Sequence, residues 1–128
     1  MGDRITILST EKHCLTVEHL YTVEGYLTLA ISIKSGEFMG KSNFCISEEH
    51  LSTFIQSLKE MGARLSGDSK IVDYDSDSYI IIEVNKLGHV IISGQVGGSH
   101  EEHSMKFKFT TDQTILESFG RVLGSLIA

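Results

Sequence analysis

Apolar and polar residues alternate along most of the N-terminal third of the chain, the period-two signature of strands that bury one face. In RITILS, Ile5 and Ile7 share a face. In LTVEHLYTV the same phase collects Leu15, Val17, His19, Tyr21 and Val23, which predicts that all five point one way. In GYLTLAISIK, Leu27, Leu29, Ile31 and Ile33 take one face, with Thr28, Ala30, Ser32 and Lys34 opposite. Glu24-Gly25 and Ser35-Gly36-Glu37 mark the turns around this strand. EFMGKSNFCI reads as a fourth strand, which Gly40 interrupts at a bulge or a close approach.

The period changes at Ser47. In SEEHLSTFIQSLKEM, steps of three and four place Leu51, Phe54, Ile55, Leu58 and Met61 on one stripe, which predicts an amphipathic helix. Ser47 suits the N-cap, Glu48 and Glu49 suit the positive end of the helix dipole, and Gly62 suits the stop. Residues 63–78 carry no regular pattern and read as an irregular stretch with a solvated acidic turn. Alternation returns in YIIIEV, and Asn85 to Gly88 connects it as a hairpin to HVIISGQV, where Gly94 breaks the phase at an expected bulge. GGSHEEHS then joins this strand to MKFKFT, with Met105, Phe107 and Phe109 inward and Lys106 and Lys108 outward. A second amphipathic helix runs through DQTILESFGRVLGSLI, with Leu116, Phe119, Leu123 and Leu126 on its stripe.

The two halves correspond at one constant offset. Phe44 falls on Phe109, Ser47 on Asp112, and Leu51, Phe54, Leu58 and Met61 on Leu116, Phe119, Leu123 and Leu126. Any two strand-and-helix units share some of this periodicity, so the correspondence leaves duplication open. The expected architecture follows either way. It is an α+β two-layer sandwich, with a mostly antiparallel sheet of six to eight strands and two amphipathic helices on one face. A chain of 128 residues fits a single domain spanning residues 1–128.

Composition changes this picture little. With 41% apolar and 22% charged residues the chain reads as a soluble globular domain, with no apolar run long enough to span a bilayer. MGDRITILST lacks the basic start and apolar stretch of a signal peptide, and Gly2 after Met1 is only a coarse myristoylation pattern. These features predict a cytoplasmic protein. Cys14 and Cys45 form no C-x-x-C pair and read as small structural thiols. The net charge of −6 argues against sequence-independent nucleic-acid binding and suits a basic protein partner, although a merely soluble acidic protein has the same charge.

Two loops carry the candidate chemistry. In SHEEH, His100 and His103 could hold a metal, and the Ser99–His103 loop could serve an enzyme. The spacing is not H-E-x-x-H, and a zinc site needs further ligands, so the plainer reading is a solvated hairpin loop. In DYDSDSY, Asp73, Asp75 and Asp77 resemble the start of a calcium loop. Ser78 then stands where glycine is needed and Val84 where a bidentate glutamate is needed. The plainer reading is an acidic turn. His19 reads as a partly buried satisfied histidine and His50 as part of the first helical turn, while His13 and His89 stand at strand starts. There is no phosphate loop, no nucleophile elbow and no interleaving of aromatic and basic residues, so no catalytic residue and no cofactor is assigned.

Three segments together, SGEFMGKSNFCISEEHLSTFIQSLKEM, GHVIISGQV and KFKFTTDQTILESF, resemble a bacterial family of small α+β proteins. Its G-x-F-x-G strand, GHV strand and TDQT helix entry are all present, and some relatives resemble the WapI-like immunity proteins encoded beside cell-wall-associated and contact-dependent toxins. The resemblance covers residues 25–127 and rests on structural motifs. The tryptophan common in the early strands of the family is absent here. The resemblance implies a non-enzymatic cytoplasmic protein that binds a basic partner such as a toxin domain. On that reading Asp73, Asp75, Asp77, Glu101 and Glu102 are candidate contacts, chosen for charge and loop position. The rival expectations are a metal-binding protein or enzyme using the Ser99–His103 loop, and a module that self-associates through a sheet edge or an uncovered sheet face.

Overall fold

Each half of the chain builds four hairpin-linked strands and then one helix. The computed structural model describes residues 4–127. The first half comprises β1 (Arg4–Ser9), β2 (His13–Val23), β3 (Tyr26–Ser35), β4 (Phe38–Ser47) and α1 (Glu48–Arg64). The second comprises β5 (Gly67–Val72), β6 (Tyr79–Val84), β7 (Val90–Val96), β8 (Met105–Thr111) and α2 (Thr114–Gly124). All eight strands pair antiparallel with their sequence neighbours, in two sheets ordered β1-β2-β3-β4 and β5-β6-β7-β8. The expected α+β sandwich of antiparallel strands and two helices is therefore present, with the strands divided between two sheets. The division falls at α1, because a helix inserted between β4 and β5 removes the short turn that would keep them adjacent.

Both halves feed one core. Leu27, Leu29, Ile31 and Ile33 from β3, Ile80 and Ile82 from β6, and the apolar stripes of both helices belong to a single buried cluster. The helices pack on one another, α1 also against β4 and β5 and α2 against β1. Phe54 and Phe119, which correspond between the halves, meet edge to face with centroids 5.6 Å apart. Such contact between equivalent positions is what a pseudo-two-fold pairing of the helices produces. A polar side chain fastens each helix entry, although the N-cap of α2 is Gln113, which makes no cap bond of its own. The Ser47 hydroxyl accepts from the His50 N–H at 3.1 Å, and the Asp112 carboxylate accepts from the Thr114 N–H at 2.9 Å.

Local expectations fail in four places. Residues 63–78 are not irregular throughout: they hold the end of α1 and the strand β5, and the expected acidic turn is confined to 73–78. This edge strand escapes the apolar pattern because one inward position is Ser69, whose hydroxyl is satisfied by Ser57 and by the Met61 sulfur. Helix α1 also runs past Gly62 and stops at Leu65, which takes the left-handed conformation at φ 54°. Gly94 marks no bulge, since β6 and β7 pair without a register shift. It is needed for close approach, as a Cβ there would collide with the Tyr79 carbonyl oxygen.

The fourth difference matters most. The β2–β3 register shifts between His19 and Tyr21, so Leu20 is an extra residue. A one-residue insertion exchanges the two faces of a strand. Leu15 and Val17 are buried as expected, whereas Tyr21 and Val23 turn to the opposite face, where both are exposed. The Gly2 motif and the start of the chain lie outside the described residues. Among the described residues no helix is long and apolar enough to cross a membrane.

Candidate functional site

The two acidic loops are distant in sequence and meet in space. The 73–78 turn joins β5 to β6, and the 97–104 loop is the expected hairpin connection from β7 to β8. Because β6 and β7 are neighbours, with Tyr79 opposite Gln95, both loops emerge at the same end of the second sheet. Asp77 links them directly, its Oδ1 accepting from the Ser99 N–H at 2.8 Å. Gln95 lies buried beneath, its Nε2 donating to the Gly97 carbonyl at 2.9 Å and the Ser99 hydroxyl at 3.2 Å. Glu101 folds back inside its own loop to accept from the Gly98 N–H.

The 73–78 turn also fastens the second sheet to the first. β4 is an edge strand, and its Cys45 donates its N–H to Asp73 Oδ1 at 2.8 Å. The Cys45 carbonyl accepts from the Tyr74 N–H at 2.9 Å. Asp73 further accepts from the Asp75 N–H at 3.2 Å and, through Oδ2, from the Ser76 hydroxyl at 2.7 Å. The turn thereby satisfies part of an edge that would otherwise offer itself to another strand.

The five carboxylates named from the sequence therefore differ in what they do. Asp73 is only 7% exposed and its oxygens are taken by backbone and hydroxyl donors, so it is a structural clasp. Asp77 and Glu101 are exposed but hold loop backbone. Asp75 and Glu102 are exposed, and among the described residues neither carboxylate has a hydrogen-bond partner. Hydrogen bonds from the Ser99 side chain and N–H hold the Asp77 carboxyl below its usual value, with a smaller pull from the charge of His100. Burial pushes the Cys45 thiol up, and the charges of Asp75 and Asp73 push it further. A thiol so placed stays protonated and is a poor nucleophile.

The calcium-loop resemblance dissolves in this geometry. Asp73 turns toward β4 and Asp77 toward Ser99, so the three aspartates diverge instead of converging. His100 and His103 are exposed in their loop, and no group of three His, Cys, Asp or Glu side chains among the described residues could hold a metal ion. His13 instead stacks on Phe109 with ring centroids 4.3 Å apart, and His19 bonds the Thr22 hydroxyl at 2.7 Å. A shallow cleft of about 440 Å³ opens between β4 and the two loops, lined by residues that include Lys41, Asn43, Asp73, Glu101 and His103. Its carboxylates are committed to backbone, so the cleft presents charge and shape without an assembled acid–base pair. A second groove, about 620 Å³, runs between α1 and α2 along Leu58, Gly62, Leu116 and Gly120.

Sequence reasoning named both loops and missed what joins them. Gln95 and Ser99 carried one legible signal, since Gln95 is a polar residue inside an otherwise apolar strand. It also missed the outward-facing tyrosines, for which the hidden bulge is responsible.

Comparison with known proteins agrees with this architecture. No curated protein matches the chain. Among solved structures, a crystal structure of Trypanosoma bruciei MRP1/MRP2 is similar at a TM-score of 0.55 and 11% identity, over 97% of this chain and 81% of that one. At that identity the likeness is one of fold alone. The model of the immunity protein WapI-like family matches residues 7–128, which takes in both sheets, both helices and both acidic loops. By that match the chain belongs to the WapI-like immunity protein family.

Proposed function

We propose that this protein neutralises a toxin by binding a basic face of the toxic domain with the surface formed by the 73–78 and 97–104 loops, in the cytoplasm and without catalysis. Family membership supports the immunity role. The observation that carries the choice of surface is the junction of the loops through Asp77 and Ser99, which concentrates Asp75, Asp77, Glu101 and Glu102 at one end of the molecule. In a chain of net charge −6, such a cluster steers a basic partner during encounter. Asp73 enters this reading as the residue that holds the turn in place.

The partner to test is a basic toxic domain, sought among the reading frames that neighbour this chain's own. Co-expression should restore growth, and the purified pair should form a complex. The double variant Asp75→Lys/Glu102→Lys should slow association by about tenfold at low salt, a difference that fades as salt screens the charges. Failure of the wild-type chain both to protect and to form a complex would overturn the proposal. An unchanged association rate for the double variant would remove these loops from the interface.

A further inference from the structure

The bulge at Leu20 has a consequence on the open face of the first sheet. From the pairings Tyr21 with Thr28, Val23 with Tyr26, and Thr28 with Cys45, the side chains of Tyr21, Val23, Tyr26, Thr28 and Cys45 share one face. The Tyr74 N–H bonds the Cys45 carbonyl, and this places the Tyr74 ring 5.3 Å from that of Tyr26. The result is a continuous exposed patch: Tyr74 is 73% exposed, Val23 59%, Tyr21 56% and Tyr26 38%. Three of the four tyrosines of a chain without tryptophan lie on it. Tyrosine has a large amphipathic ring and few torsions to immobilise, and it is enriched where interfaces concentrate their binding energy.

The surroundings say what kind of partner fits. Glu24 and Gly25 form the β2–β3 turn at the rim, both with positive φ, in a two-residue connection of the type that suits the twist of a hairpin. The Glu48 N–H bonds the Gly25 carbonyl at 2.8 Å, bringing the acidic first turn of α1, Glu48 and Glu49, to the same rim. Asp75 follows Tyr74 directly and joins the patch to the acidic loops. Tyrosine faces ringed by carboxylates suit Arg and Lys side chains, which stack on the rings while pairing with the acids.

We infer that the Tyr21–Val23–Tyr26–Tyr74 patch is the anchoring surface for an Arg- and Lys-rich face of the partner protein, with the acidic loops acting mainly on the rate of encounter. The inference rests on the toxin-neutralising reading and assigns its binding energy to a different set of residues. Anchors buried at the centre of an interface govern dissociation, whereas peripheral charges govern association.

The test uses the full chain and a toxic domain against which its co-expression protects. In Tyr26→Ala/Tyr74→Ala, dissociation should accelerate at least about thirtyfold while association changes less than about threefold. Both residues are exposed, so circular dichroism and the urea midpoint should stay close to wild type. Nitration mapped by mass spectrometry gives a second readout, in which Tyr21 and Tyr74 should be protected in the complex. Unchanged dissociation of the double variant from a partner that wild type binds would overturn the inference and leave the immunity role standing. Absence of any wild-type complex would overturn both. A dimer of this chain that Tyr74→Ala abolishes would assign the patch to a second copy and overturn the inference as stated.

Discussion

Asp73, Asp75 and Asp77 are alternate residues of one short turn, yet each carboxylate has a different fate. Asp73 is consumed by the β4 edge, Asp77 by Ser99, and Asp75 is left to solvent. The electrostatic consequence is sharpest at Asp77. Its folded-state carboxyl lies below the usual 3.8 because the charged form accepts from Ser99. A depressed pKa means that the folded protein favours the ionised form, so this contribution to stability is complete above the usual value and is lost as pH falls through the folded one. The Ser99 amide resonance should therefore hold steady on acidification to about pH 4 and titrate only below the usual carboxylate value. In Asp77→Asn that step should vanish, and Ser99 amide exchange should be faster throughout. The acidic character of both loops was legible in the sequence. Their meeting was not, because it depends on the pairing of β6 with β7 and on the buried Gln95.

At the scale of elements, strand and helix positions follow closely from periodicity, and the departures occur where one residue changes a local rule. Leu20 adds a residue to β2 and exchanges its faces, and Ser69 hides β5 by placing a hydroxyl where a strand pattern expects a hydrocarbon. Two glycines make the point testable with opposite signs. Gly94→Ala drives a methyl group into the Tyr79 carbonyl of the paired strand, where backbone cannot yield cheaply, and should cost about 1–3 kcal/mol or more. Gly120→Ala lies inside α2 with open space at the Cβ position and should stabilise by about 0.5–1 kcal/mol. Urea unfolding midpoints of the two variants should move in opposite directions.

The whole molecule is two similar halves fused through one core, and the helix contact at Phe54 and Phe119 is the centre of that fusion. Both rings are buried, and they meet across the junction of the two halves. Phe119→Ala should cost about 3–5 kcal/mol, and Phe54→Ala a comparable amount. The double variant should cost less than the sum of the two, since the first substitution already removes the shared edge-to-face contact. Unfolding that remains a single transition in each variant, by fluorescence and circular dichroism together, would show that the halves do not unfold independently. Two separate transitions would contradict the shared core.

The amino-acid sequence by itself determined the alternation of strands, the two amphipathic helices with the cap of the first at Ser47, and the inward residues of β3, β7 and β8. These are readable because a period of two or 3.6 residues reports burial within a window of a few turns. Only the tertiary structure decided the division into two sheets, the outward turn of Tyr21 and Val23, and the convergence of two acidic loops on the edge of β4. Each depends on which distant segment a strand pairs with and in what register. A bulge of one residue leaves almost no trace in composition while reversing every side chain beyond it. The residues that define the proposed binding surface therefore lie where local periodicity carries the least information.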